Sequence, residues 1–142
     1  MSTHQRDERG SATLELAILA PALLGLFAVV IAAGRIETAG AALDQAASAA
    51  ARQASLARTA ATANTMATRA AQASLRSQHL TCTALRITVD SSGFRSAHGQ
   101  PAQVSVAITC TVPLSDLAIP GMPGRRTLRA SMTSPLDRYR SR

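Results

Sequence analysis

The sequence has no lysine and no tryptophan, and its 142 residues include only one tyrosine and two phenylalanines. All 15 basic residues are therefore arginines, and 8 acidic residues leave a formal net charge of +7. Few aromatic rings argue against a single-strand nucleic-acid binder, because such proteins stack bases on aromatic side chains. Apolar residues make up 46% of the chain, but 30 residues are alanines, which bury little area. The composition thus also argues against a compact soluble enzyme.

Patterns that carry catalysis or ligand binding are missing as well. The sequence has no phosphate-binding loop and no Gly-rich dinucleotide motif. His4 and His98 are isolated, and His79 with Cys82 supplies only two of the ligands that a zinc site needs. No nucleic-acid-binding motif accompanies the basic charge. We therefore predict a protein that is not an enzyme, with no metal ion, no other cofactor and no nucleic-acid partner.

Charged residues are absent from 19 consecutive positions, Leu16 to Gly34. As a helix this run is about 28 Å long, close to the ~30 Å hydrocarbon thickness of a bilayer. A buried core helix would need apolar surface that the rest of the chain lacks. A cleaved signal peptide has a shorter apolar run, of about 7–15 residues, after a positively charged start. Here the run is longer and Asp7 and Glu8 precede it, so we predict a transmembrane helix, with cleavage near Gly34 as an alternative.

The region after the span is rich in alanine, lacks proline and has Gly40 as its only glycine up to Gln78. Alanine and arginine are strong helix formers, so the membrane helix is predicted to continue as a stalk. A break near Asn64–Thr65 is an alternative. Helical spacing predicts two separate faces on this stalk. One carries Arg58, Arg69 and Arg76, and the other carries Leu56, Ala60, Ala63, Ala67 and Ala70.

From about Leu80 the pattern changes to strict alternation of apolar and polar residues. The alternating segments are Leu85–Asp90, Val104–Val112 and Leu128–Met132, and residues rich in Gly, Ser and Pro separate them. This pattern predicts three half-buried strands in an antiparallel meander packed against the helix. The predicted fold class is α+β: a long N-terminal helix with one transmembrane span, followed by a small antiparallel sheet.

The two cysteines both follow the span. Cys110 is in phase with the apolar residues of the second strand, whereas Cys82 is out of phase and lies at a bulge or at the helix-to-strand junction. Two cysteines in a small exported region favour one disulfide over two buried thiols. A disulfide would place the C-terminal region outside the cytoplasm. Arginines flank both ends of the span equally and do not decide its orientation.

The most specific motif precedes the span. Gly10 ends a short polar leader, and Glu15 follows five residues later at the start of the uncharged helix. A carboxylate at membrane depth is costly unless it is paired, although near headgroup level it can simply favour the helix start. Residues 9–34 resemble the N-terminus of TadE-like proteins, which are minor pilins or pseudopilins of tight-adherence (Tad/Flp) pili in the type IV pilin class.

The resemblance implies that a prepilin peptidase cuts between Gly10 and Ser11 and that Glu15 acts in subunit assembly. Pro21 matches a proline common in the family's apolar segment. The implied function is that of a structural or assembly protein of a tight-adherence pilus or related secretion apparatus, in the bacterial cell membrane. Its implied partners are the peptidase, other pilin-like subunits, the assembly machinery and membrane lipid. The alternatives are an uncleaved anchor that binds another envelope component and a secreted binding protein cut near Gly34.

The predicted division of the chain has four parts: a leader (1–10), a transmembrane and assembly helix (11–34), a helical stalk (35–79) and a small extracytoplasmic β-rich domain (80–142). Cleavage before Ser11 would free an α-amino group with a pKa near 8, which is cationic at neutral pH. In a bundle of such helices, Glu15 of one subunit could pair with this ammonium of a neighbour, and the pair would fix the axial register. Pro21 cannot donate a hydrogen bond to Ala17, so we expect a kink there.

Overall fold

The computed structural model describes residues 7–97, 100–117 and 123–136, with side chains from residue 14 onward. Its elements, in chain order, are α1 (Asp7–Leu56), α2 (Ala60–Ser77), β1 (Ala84–Asp90), a 3₁₀ turn (Ser92–Arg95), β2 (Gln103–Pro113), α3 (Leu114–Leu117) and β3 (Arg125–Pro135). The predicted α+β class, with a long N-terminal helix and a three-stranded antiparallel sheet, is confirmed. His4 and His98 lie outside the described residues.

Helix α1 has 50 residues and an uninterrupted course through Pro21. At 1.5 Å per residue it is about 75 Å long, far longer than the remaining elements need for packing. No residue between Leu14 and Thr38 is buried, whereas burial begins at Ala39. We call the described residues from Ala39 to Leu136 the head, because the packed core lies among them. The N-terminal part of α1 therefore extends from the head without being buried by it, and the C-terminal part of the same helix belongs to the head.

The chain reverses direction after Leu56. Thr59 has an extended backbone, and its side chain accepts a hydrogen bond from the backbone N–H of Thr62 at 3.2 Å, which caps the start of α2. At the other end of α2, Gln78 Nε2 donates to Gln45 Oε1, so α2 runs antiparallel to α1. The membrane helix does continue beyond the span, as predicted, but it ends at Leu56, and a second helix forms the rest of the Ala-rich region. The alternative break at Asn64–Thr65 is wrong, because these residues lie inside α2. A good N-cap at Thr59 starts a second helix where alanine content alone predicted no interruption.

Alanine side chains form the contact between the two helices. Ala63, Ala67 and Ala71 are fully buried, and Leu75 continues the same stripe at four-residue spacing. Small side chains allow helix axes to approach closely, so this stripe fits tightly against α1. The predicted small-residue face is confirmed at Ala63 and Ala67, but Leu56 is 65% exposed.

The predicted arginine face is only partly correct. Arg69 and Arg76 are both exposed on α2, whereas Arg58 lies in the connection before the helix starts. A helical face requires residues on one continuous helix, so Arg58 does not share one with the other two.

The sheet has the order β1-β2-β3, and both strand pairs are antiparallel. In the middle strand, Ile108 pairs with Ile87 of β1 on one side and with Ala130 of β3 on the other. The strand alternation predicted from the sequence is confirmed in β2, where every second residue is buried. These buried residues are Val104, Val106, Ile108, Cys110 and Val112. They pack against α1 to form the core of the head together with the alanines of the helices.

Cys82 lies in the connection between α2 and β1, which is the junction placement rather than the bulge. Its sulfur is bonded to that of Cys110, with the two Cα atoms 5.4 Å apart. Cys110 is fully buried at the centre of the sheet, where it pairs with Leu85 and Leu128. The bond therefore ties the exit from the helical hairpin to the middle strand.

The same connection begins with a left-handed residue. His79 has a φ of 54°, and its N–H donates to Arg76 O at 3.1 Å while Leu80 N–H donates to Leu75 O at 3.1 Å. This pair of hydrogen bonds is the Schellman arrangement that terminates helices. His79 thus acts as the C-terminal stop of α2 and turns the chain toward β1.

The connection from β1 to β2 is tight. Phe94 is buried, and a Cβ on the preceding Gly93 would lie 2.1 Å from the backbone oxygen of Gln103. Asp90 Oδ1 accepts a hydrogen bond from the backbone N–H of Ser92 at 3.0 Å. This bond, aided by the Ser92 hydroxyl and by the positive charge of Arg95, lowers the pKa of Asp90, because hydrogen bonds and a nearby cation favour the ionised form.

Candidate functional site

The N-terminal half of α1 presents large apolar side chains on all sides. Unlike the helices and strands of the head, this stretch has no buried side chain between residues 14 and 38, although most of its residues are aliphatic. The large exposed residues in this segment are Leu14, Leu16, Ile18, Leu19, Leu23, Leu24, Leu26, Phe27, Val29, Val30 and Ile31. A helix that is apolar all round is stable only in lipid or among other apolar helices. We call residues 14–34 the apolar segment.

Glu15 is the one charged residue of the apolar segment. It is exposed and lies between Leu14 and Leu16, which are 68% and 69% exposed. Its carboxylate therefore projects from a helix whose neighbouring side chains are suited to lipid or to a partner helix. In such surroundings an unpaired charge is costly, and a cationic partner offsets that cost.

The backbone of Gly10 and Ser11 lies within the first turns of α1. Their side-chain environment is outside the part of the chain whose side chains the structure describes. Ser11 and Glu15 are four residues apart on this helix, which places them on one face, separated by a rise of about 6 Å. A charge created at the nitrogen of Ser11 would therefore lie about one helical turn from the residue that carries the carboxylate.

Pro21 lies inside α1, six residues or about 1.7 turns after Glu15. A proline has no N–H, so the carbonyl of Ala17 lacks its usual donor four residues on. The helix nevertheless continues through this point as far as Leu56.

By length and composition α1 can cross a membrane, and it is the one such helix in the described part of the chain. Its most apolar stretch has a mean hydropathy of 2.7 and no buried residues. A soluble core helix would be mostly buried. The architecture is therefore that of a small α+β head carried on a helix suited to a membrane or a helical assembly.

The sequence model of the TadE-like protein family matches residues 10–52. The matched region begins at Gly10, includes Glu15 and Pro21, and extends into the part of α1 that packs in the head. No curated protein and no solved structure matches the chain. The resemblance predicted from residues 9–34 is therefore confirmed as a match to the TadE-like family model over residues 10–52.

The remaining residues of interest are far from this segment in the chain and have structural roles. Cys82 and Cys110 form the disulfide of the head. His79, which the sequence presented only as an isolated candidate ligand, terminates α2 through its positive φ. Among the residues that the structure describes, no group of three or more His, Cys, Asp or Glu is placed to hold a metal ion. The helix stop at His79 had no sequence signal, because glycine or asparagine usually occupies such a position.

Proposed function

We propose that this chain is a pilin-like structural or assembly protein of a tight-adherence type IV pilus or a related secretion apparatus. In this proposal a prepilin peptidase cuts it after Gly10, and it assembles through the apolar segment. The observation that carries the proposal is the family match over residues 10–52, which falls on an exposed apolar helix with one carboxylate near its start.

The proposed assembly contact is an ion pair between subunits. Cleavage converts the nitrogen of Ser11 into an ammonium group, about one helical turn before Glu15 along α1. In a bundle of apolar segments, the ammonium of one subunit and Glu15 of the next would neutralise each other away from water. Breaking a buried pair by removing one partner costs about 3–5 kcal/mol, which is enough to fix the axial register. Pro21 and the loosened carbonyl of Ala17 would let the helix adjust its curvature in this bundle.

The proposed location is the bacterial cell membrane, with a single span and the head on the extracytoplasmic side. The Cys82–Cys110 disulfide supports this orientation, because disulfides persist in oxidising compartments. The proposed partners are the peptidase, other pilin-like subunits, the assembly machinery and membrane lipid. The proposal assigns no enzymatic activity, no cofactor and no nucleic-acid ligand to the chain.

The deciding experiment is intact-mass analysis of the protein extracted from membranes of cells with and without the prepilin peptidase. We expect a mature N-terminus at Ser11 only when the peptidase is present. A Gly10→Val variant should remain uncut, and a Gly25→Val variant serves as the control for a similar change inside the apolar segment. A native chain that keeps its leader would favour the uncleaved anchor, and a cut near Gly34 would favour the secreted binding protein. Either result would contradict the pilin proposal.

A further inference from the structure

A cleft of about 310 Å³ lies where α1 enters the head. Three separate parts of the chain form its walls: the α1 residues just after the apolar segment, the connection that follows α2, and α3. The lining residues are Arg35, Thr38, Ala39, Ala42, Gln78, Leu80, Asp116 and Leu117. A volume of this size is at the lower end of the range for small-ligand sites, about 300–1,000 Å³.

The cleft contains one cation and one anion that do not form a salt bridge. Arg35 is exposed on α1 and Asp116 is exposed on α3. Asp116 Oδ1 accepts a hydrogen bond from Ser115 Oγ at 3.2 Å, which leaves its second oxygen for another donor. The Thr38 hydroxyl donates to the backbone oxygens of Gly34 and Arg35 and so is already engaged within the helix. The charges of the cleft therefore suit a ligand that carries both an anionic and a cationic group.

The position of the cleft relative to the apolar segment narrows the choice of ligand. Arg35 is the first charged residue after the apolar segment, and α1 rises about 10 Å from Arg35 to Ala42. The polar layer on each side of a bilayer is about 5–8 Å thick, so the cleft lies at headgroup level when the apolar segment spans the hydrocarbon core. We infer that the cleft binds the headgroup of an ethanolamine phospholipid, with Arg35 on the phosphate and Asp116 on the ammonium. This inference rests on the proposed membrane insertion of α1.

The chemistry of the lining favours ethanolamine over the other common headgroups. A guanidinium donates several hydrogen bonds to a phosphate, and a carboxylate accepts them from a primary ammonium. The quaternary ammonium of choline has no N–H to donate and is recognised by aromatic side chains, none of which lines this cleft. A glycerol headgroup has no cation, so it would leave Asp116 beside a lipid that carries only negative charge.

The test uses the full chain in bilayer nanodiscs made from equal parts of ethanolamine, glycerol and choline phospholipids with identical acyl chains. Native mass spectrometry after release from the bilayer measures which lipid stays bound. We expect preferential retention of the ethanolamine lipid and a several-fold loss of that retention in Arg35→Gln and in Asp116→Asn. The matched controls are Arg52→Gln and Asp44→Asn, which make the same charge changes at exposed α1 positions outside the cleft and should retain lipid like the wild type.

Vesicle flotation of the same proteins separates the two proposals. A wild-type chain that does not float with vesicles would contradict membrane insertion itself. A chain that inserts but retains the three lipids equally, or prefers the glycerol lipid, would overturn only the headgroup site. Binding of soluble phosphoethanolamine by the detergent-solubilised chain without retention of the lipid would overturn the assignment to a membrane lipid.

Discussion

The sulfur atoms of Cys82 and Cys110 are bonded, and this bond joins the exit of the helical hairpin to the buried centre of the sheet. Cys82 lies outside β1, between the end of α2 and the first residue of the strand, whereas Cys110 is fully buried in β2. About half of the buried residues in the core of the head are alanines, so a covalent link between its helical and sheet layers carries more weight than it would in a core of larger side chains.

Removing the disulfide should destabilise the head strongly. The bond joins positions that are 28 residues apart in the sequence. For a loop of that size, the chain-entropy model gives a stabilisation of about 3–4 kcal/mol. We expect reductant, or the double substitution Cys82→Ala and Cys110→Ala, to lower the unfolding temperature of the full chain in detergent, followed by circular dichroism. Reductant should have no further effect on the double variant. An equal unfolding temperature with and without reductant for the wild type would contradict the structural role of the bond.

Enlarging a buried alanine between α1 and α2 should also destabilise the head. Ala67 is fully buried in the stripe that faces α1, so Ala67→Leu has no space for its added carbons and should cost about 1–3 kcal/mol. Ala61→Leu is the matched control, because Ala61 is exposed on the same helix and leucine has similar helix propensity. The measurement is denaturant unfolding of both variants. If Ala67→Leu were as stable as the control, the close packing of the hairpin would be wrong.

Replacing His79 with glycine should stabilise the protein. His79 has a φ of 54°, and a left-handed backbone costs a non-glycine residue about 1 kcal/mol or more. Glycine adopts this conformation without a Cβ penalty and is the residue most often found at such helix ends. We expect His79→Gly to unfold at a higher temperature than the wild type, and His79→Val to unfold at a lower one. A lower unfolding temperature for the glycine variant would show that the imidazole has a contact role instead.

Two glycine-to-alanine substitutions should have opposite effects. A Cβ at Gly93 would lie 2.1 Å from the backbone oxygen of Gln103, so Gly93→Ala must displace one end of β2. A Cβ at Gly40, within α1, would meet nothing within 4 Å. Because alanine is favoured over glycine in a helix by about 0.5–1 kcal/mol, Gly40→Ala should raise the unfolding temperature while Gly93→Ala lowers it. Thermal unfolding of both variants in the same detergent checks this prediction.

Substitution of Glu15 should affect assembly and not insertion. In Glu15→Gln the side chain keeps its size but loses the charge that would pair with a neighbour's Ser11 ammonium. We expect the variant to float with vesicles like the wild type and to be incorporated less into a sheared pilus fraction, measured by immunoblot. Glu37→Gln is the control, because it removes the same charge at an exposed α1 position beyond the apolar segment. Normal incorporation of Glu15→Gln would remove the assembly role proposed for this carboxylate.

The sequence by itself determined the apolar segment and the three strands. Nineteen uncharged residues in a row describe a lipid-compatible helix whatever surrounds them, and alternation in β2 defines which side chains face the core. The motif from Gly10 to Glu15 is likewise local, and for this reason the family resemblance was available without a structure.

Tertiary structure decided where the helix ends and what its alanines touch. Alanines at four-residue spacing describe one long stalk and a hairpin equally well, because helix propensity is local and the choice depends on packing between distant residues. The cap at Thr59, the left-handed His79 and the antiparallel contact through Ala67 settle that choice. The cleft between Arg35 and Asp116 arises in the same way, since residues more than 80 positions apart meet there only after the hairpin and the sheet have packed.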